Sequence, residues 1–251
     1  MNPVRHDAAA AQAVPAPAPA PIAEGLEEIF ARRGWLASAD PRHRAQILAA
    51  ARTVSLGRGS LVYSAGDAPG GIYGIISGGI GAEGSSSWQS ARLGHIFRAG
   101  DWFGHTPALT GGHRTLTFRA VEPSRVLTVP LAKLREMMAQ DAEILRLVGI
   151  MADRGSVLLT NAALDLLTPE APRRIAAVLL RVTAAHDGLQ PDDPRGFLLT
   201  QTMLGEMANA SRHHVNRVLG DFTQRGWIAK SYNHIRLLDV PALTAFAYTE
   251  A

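Results

Sequence analysis

The sequence predicts an α+β chain: an N-terminal β-roll or jelly roll, one long helix, and a small C-terminal unit of two short helices closed by a β-hairpin. Three observations predict it. Between Thr53 and Val129, short β-like runs are separated by clusters of Gly, Asp, Pro and Ser. Asp141 to Leu167 is then a single uninterrupted helical stretch. Finally, Leu199 to Leu219 reads as a helix, a four-residue corner and a second helix.

The chain has 251 residues, 47% of them hydrophobic and 19% charged, which is enough for two globular domains. It has no cysteine, which excludes disulfides, iron–sulfur ligation and thiolate chemistry. A net charge of +3 does not announce a nucleic-acid partner, so that signal has to come from local arrangement. No segment reaches the roughly 18 uninterrupted apolar residues of a membrane span, and the first residues lack the apolar run of a signal peptide. A cytoplasmic protein with no membrane partner is expected.

Taken in order, residues 8–21, AAAAQAVPAPAPAP, hold too little apolar volume to pack, and residues 1–25 are expected to be a disordered tail. Leu26 to Trp35 and Arg42 to Ala51 carry apolar residues at helical spacing. Thr53 to Leu56, Leu61 to Tyr63, Ile72 to Ile76, Leu93 to Phe97, Thr115 to Ala120 and Ser124 to Val129 supply strands for a roll of eight-strand size. Helical character over Leu131 to Ala139 closes a unit spanning 26–139. In the long helix, residues 140–167, Ile144, Val148, Met151, Leu158 and Ala162 fall close to a heptad, the pattern of a helix that pairs with a second copy, the alternative being a helix that packs along its own roll. Thr168-Pro169 joins a capping residue to a first-turn proline, so one helix is expected to end and the next to start there, at a hinge opening a unit over 168–251. Arg173 to Thr183 is amphipathic, and Asp187 to Gly196 is a loop. Trp227 to Ala229 and His234 to Leu238 flank Tyr232-Asn233 as a hairpin.

The helix pair has its own chemistry. Thr200 caps the first helix by accepting a backbone N–H, and Leu204, Met207 and Ala208 form an inner stripe that Val215, Val218, Leu219 and Phe222 continue in the second. Gly205 removes a side chain where the helices cross, and Asn209 tolerates the left-handed conformation that ends a helix. Ser211 caps the second helix, whose remaining face carries Arg212, His213, His214 and Arg217. Followed by the hairpin, this is a winged helix-turn-helix, a shape that enters the major groove of double-stranded DNA.

With β-roll, long helix, hinge and winged helix in this order, the chain resembles the Crp/Fnr family of bacterial transcription regulators over roughly residues 26–246. Ser211-Arg212-His213-His214-Val215-Asn216-Arg217 matches the family phrase Ser-Arg-x-x-Val-x-Arg. Gly66-Asp67 and Gly100-Asp101-Trp102-Phe103-Gly104 match its roll phrases. The resemblance implies a cyclic-nucleotide-binding-like roll and a homodimer joined along the long helix. It also implies two recognition helices on a two-fold related operator, and contact with RNA polymerase. It assigns base reading to Arg212, His213 and Arg217 and phosphate contact to Ser211, with Thr200, Thr202 and His214 completing the DNA-binding set. Many relatives carry glutamate where His213 stands, so the half-site is expected to differ at one base pair.

In cyclic-AMP-binding relatives, a glutamate on a short helix holds the ribose and an Arg-Ser pair holds the cyclic phosphate. Here Gly104 is kept, His105 replaces the glutamate, and Arg114-Thr115 stands for the pair. The positions that present hydroxyls to adenine fall on Leu158 and Leu159. The anion-binding half survives, while each buried ligand group left unpaired costs about 1–3 kcal/mol. The expectation is no resident cofactor, and an effector that is not cyclic AMP: a small anion, another nucleotide, or none. The last alternative is a histidine-ligated cofactor: His95, His105 and His113 could approach one another in a roll, but they lack the HxH or HxxxH spacing of metal ligands. A cupin-like metalloenzyme needs a histidine pair that is missing, and with no nucleophile elbow, P-loop or paired carboxylates, no enzyme is expected. The other rival is a nucleotide- or anion-sensing interaction module whose winged helix binds protein. It draws on the nearly balanced charge of residues 168–251; against it, Arg212, Arg217, Arg225 and Lys230 gather on one side.

Overall fold

The computed structural model describes residues 25–86 and 89–249; the expected disordered tail lies almost wholly outside the described residues. Helices α1 (Leu26–Arg32) and α2 (Pro41–Ala49) flank a single tight turn at Trp35–Ser38. Eight strands follow: β1 (Arg52–Leu56), β2 (Leu61–Tyr63), β3 (Gly71–Ser77), β4 (Gly79–Ser86), β5 (Gln89–Arg98), β6 (Trp102–Phe103), β7 (Thr117–Ala120) and β8 (Ser124–Pro130). A short helix, α3 (His105–Thr110), lies between β6 and β7. The strands form two antiparallel four-stranded sheets, ordered β1-β8-β3-β6 and β2-β7-β4-β5. Between them Tyr63, Ile75, Ile80, Phe103, Phe118 and Val126 make the inner core. On the outer side of the first sheet, Ile72, Trp102, Leu127 and Val129 pack with Phe30, Trp35 and Leu36 and with the two helices that follow the roll, α4 (Leu131–Gln140) and α5 (Ala142–Leu167).

Strand β4 is absent from the sequence reading because GIGAEGSS has almost no β propensity of its own. Packing selects its glycines: a Cβ on Gly81 would stand 2.8 Å from Leu93 Cδ1, and one on Gly79 would stand 2.6 Å from Arg98 Nη1.

Two expectations are corrected around α5. Ile144, Val148 and Met151 do not form a free seam; with Leu147 they are buried in the chain's own roll. The exposed apolar residues lie mainly in the second half of the helix, at Val157, Leu159, Leu164, Leu166 and Leu167. At the hinge, Thr168 ends α5 but does not cap the next helix. That helix, α6 (Ala171–Val182), starts after Glu170 and carries Pro172 in its first turn. The reason is Arg174. Its guanidinium donates to Thr168 O and Pro169 O, each at 2.7 Å, and to Ala208 O at 2.9 Å, so the carbonyls left over at the helix ends are satisfied by one side chain.

The C-terminal unit adds β9 (Phe197–Leu198), α7 (Gln201–Ala208), α8 (Arg212–Gln224), β10 (Ile228–Ser231), β11 (His234–Leu237) and α9 (Val240–Tyr248), with a small sheet ordered β10-β11-β9. Its core runs continuously into the roll through Leu93, Ile96 and Val121. Arg98, only 2% exposed, fastens the junction. It pairs with Glu122, donates to Val182 O at 3.2 Å and Leu198 O at 3.0 Å, and lies 5.1 Å from the Phe197 ring centre. Nearby, Arg181 donates to Asp165 at 3.0 Å and to Nδ1 of buried His95 at 3.1 Å.

Candidate nucleic-acid interface

Helices α7 and α8 are set by the caps that the residues themselves provide. Thr200 accepts from Met203 N at 3.1 Å, and Ser211 accepts from His214 N at 3.2 Å. Asn209 ends α7 with φ of 47°. A Cβ on Gly205 would lie 2.6 Å from Ala210 O, so the close crossing requires glycine. Val215, Val218, Leu219 and Phe222 are buried, which turns the rest of α8 outward.

Of the residues singled out in the sequence, Thr202, Ser211, Arg212, His213 and Arg217 are exposed, all within or beside the first turns of α8 or on the start of α7. Thr200 is half-buried under its cap. His214 is turned partly inward, its Nε2 buried without a partner. The helix pair also leans on the roll: Leu93 N donates to Glu206 Oε2 at 3.0 Å.

Sequence reading missed four residues around this face. Gln201 and Asn216 are bonded to each other at 2.9 Å, and Arg212 Nε donates to Gln201 Oε1 at 3.4 Å. From the roll, Arg58 lines the cleft that holds Arg212, Lys230 and Tyr232, and Arg92 lines a second cleft beside Thr202, Ser211 and Arg212. Asn216 sits inside the Ser211–Arg217 motif and Gln201 beside the Thr200 cap, so their spacing was a signal. Nothing in sequence brings Arg58 or Arg92, more than 100 positions away, to this face.

Inside the roll, Gly104 and Arg114 come together. Arg114 is 3% exposed, donates to Gly104 O at 2.9 Å and Gly71 O at 2.7 Å, and stands 4.1 Å from the Tyr63 ring centre. Its Nε is buried without a partner. Burial raises the Tyr63 and Tyr73 hydroxyls above the usual tyrosine range, partly offset by Arg114. His105 packs on α5, where a Cβ on Gly155 would meet its ring at 3.1 Å, and burial lowers its pKa. Thr115 and Leu159 are exposed and Leu158 is half-buried, so these three do not close around Arg114 as a finished pocket. The candidate metal histidines stay apart: His95 is buried at the junction, His105 lies against α5 and His113 is exposed. Among the described residues, no group of three His, Asp or Glu side chains comes close enough to hold a metal ion.

Comparison with known proteins matches this architecture. Residues 53–141 match the cyclic nucleotide-binding domain, and residues 173–246 match the Crp-like helix-turn-helix domain. A CRP-like cAMP-activated global transcriptional regulator of Mycobacterium tuberculosis is 30% identical over 206 residues, covering 81% of this chain and 91% of the relative. The cAMP-activated global transcriptional regulator Vfr of Pseudomonas aeruginosa is 29% identical over 141 residues, covering 54% of this chain and 65% of Vfr. The structure of FixK2 from Bradyrhizobium japonicum shares the fold with a TM-score of 0.67 at 18% identity, over 80% of this chain and 99% of FixK2. Such regulators act by binding DNA and catalyse no reaction, and this chain is not an enzyme. A roll of the cyclic nucleotide-binding type, a long helix and a Crp-like helix-turn-helix, joined in one chain, make the protein a DNA-binding member of the Crp/Fnr family of transcription regulators.

Proposed function

We propose that the protein is a cytoplasmic homodimer that binds a two-fold related operator and acts through contact with RNA polymerase. In this reading residues 26–139 sense, 140–167 dimerise and 168–251 bind DNA. The carrying observation is the exposed polar face of α8, with Arg212, His213 and Arg217 facing outward over a buried apolar stripe. Arg212 and Arg217 read guanine by paired donors, His213 reads the base pair between them, and Thr200, Thr202, Ser211 and His214 fix the backbone. The exposed leucines of α5 receive the second copy.

The effector is an anion other than cyclic AMP, held by Arg114. Two of the five guanidinium N–H groups are spent on Gly104 and Gly71, and the orphaned Nε–H gives a buried donor for a phosphate or carboxylate. Here the reading departs from the cAMP-activated relatives: His105, Leu158 and Leu159 offer neither a ribose-binding carboxylate nor hydroxyls for adenine. Melting the protein against cyclic AMP, other nucleotides and small anions tests this, since a ligand selective for the folded state raises Tm. A rise with cyclic AMP alone rejects it.

DNA binding is tested by selection from randomised duplexes, then by titration against salt. Affinity should fall with a log–log slope near −0.9 per neutralised phosphate. Arg217→Ala should relax sequence choice more than it changes that slope; an unaltered binding profile rejects the reading role of Arg217.

A further inference from the structure

We propose that Asn216 is an additional base-reading residue of α8, specifying adenine, and that Gln201 positions it together with Arg212. The inference rests on the DNA-binding reading above and adds to it a contact and the device that orients it.

Asn216 follows Arg212 by one helical turn, so the two share a face, and both are exposed. Gln201, the first residue of α7, bridges them. Arginine can only donate, so the Gln201 oxygen must face Arg212 Nε, at 3.4 Å. That leaves the Gln201 nitrogen to donate to Asn216 Oδ1, at 2.9 Å. The direction of every group in the chain of bonds follows from the one residue that cannot accept.

What remains unused is a reading set. Arg212 keeps Nη1 and Nη2, the pair that meets guanine O6 and N7. Asn216 keeps both Nδ2 hydrogens and an oxygen lone pair, the donor and acceptor that adenine N7 and N6 require. Gln201 is itself anchored, because the adjoining Thr200 cap fixes the first turn of α7. Side chains ordered before DNA arrives lose less freedom on binding, so the bridge pre-orients both readers. Four residues rise about 6 Å along the helix, so Asn216 meets a base pair about two steps from the one Arg212 reads.

The test is selection from randomised duplex DNA with the full-length wild type and four variants: Arg212→Ala, Asn216→Ala, Gln201→Ala and Gln201→Glu. Wild type should enrich a site holding an adenine preferred by about 5- to 150-fold. Asn216→Ala should lose that preference alone, with other positions and the salt slope kept. Gln201→Ala should broaden two positions, that adenine and the base pair located by Arg212→Ala. Gln201→Glu still accepts from Arg212 but has no donor for Asn216, so it should weaken only the adenine. An unchanged profile for Asn216→Ala overturns the assignment of Asn216. A uniform loss at every position in Gln201→Ala, with a lowered Tm, makes Gln201 merely structural and overturns its positioning role. Wild type that enriches nothing overturns the DNA reading itself.

Discussion

Ser211 and Thr200 each satisfy a helix-start N–H that would otherwise lack a partner, so each is worth more than its size suggests. Ser211→Ala and Thr200→Ala should each cost about 1 kcal/mol, read as a lower urea midpoint at unchanged m-value. Two glycines separate packing from propensity. Gly205→Ala pushes a Cβ against the Ala210 carbonyl and should destabilise by about 1–3 kcal/mol. In α8, a Cβ on Gly220 meets nothing within 4 Å, so Gly220→Ala should stabilise by up to about 1 kcal/mol, with Tm as the measure. The caps, Gly205 and Asn209 were legible in sequence, because each acts through a backbone conformation that its own residue type dictates. His214 was not: its orientation depends on what packs around it.

Among the elements, β5 has the most varied role, pairing with β4 inside the roll while carrying Arg98 and His95 into the junction. Arg98→Met leaves Glu122 without its cation in a largely buried setting and should cost about 3–5 kcal/mol in chemical unfolding. A loss under 1 kcal/mol would show that water already compensates Glu122. Long, periodic elements such as α5 and α6 were legible because hydrophobic spacing over several turns is a strong signal. The two-residue strands β6 and β9 and the glycine-rich β4 were not, since their partners, not their residues, make them strands. Helix α5 shows both sides. Its extent follows from its sequence, yet the side that is buried changes along it, from the roll core at Ile144 and Met151 to open surface at Leu159 and Leu164.

For the whole molecule, that change marks the surface on which the proposed second copy would dock. Leu159→Glu combined with Leu164→Glu should convert a dimer to monomers in sedimentation and remove the concentration dependence of Tm; a sedimentation pattern identical to wild type places the subunit contact elsewhere. The junction predicts a pH dependence. Burial, reinforced by Arg181, Arg98 and Arg33, holds His95 well below its usual value of 6.5, and burial lowers His105 in the same direction. The folded protein therefore stays unprotonated where the unfolded chain binds protons, so stability is full above pH 6.5 and falls as the pH drops below it. Each such histidine contributes at most about 1.4 kcal/mol per pH unit. His95→Gln, which keeps an acceptor for Arg181, should flatten the slope; an unchanged slope would remove His95 as its source.

The sequence alone determined the order of units, the capped helix pair and the outward placing of Arg212, His213 and Arg217 on α8, because these depend on local periodicity, on backbone preferences and on a short motif. Tertiary structure decided how the winged unit sits on the roll, which half of α5 is left uncovered, and that Arg114 spends two donors on its own backbone. Those outcomes are contacts between residues far apart in the chain, such as Arg98 with Leu198 or Leu93 with Glu206. No local pattern encodes them, since they exist only once the separate cores have formed and come together.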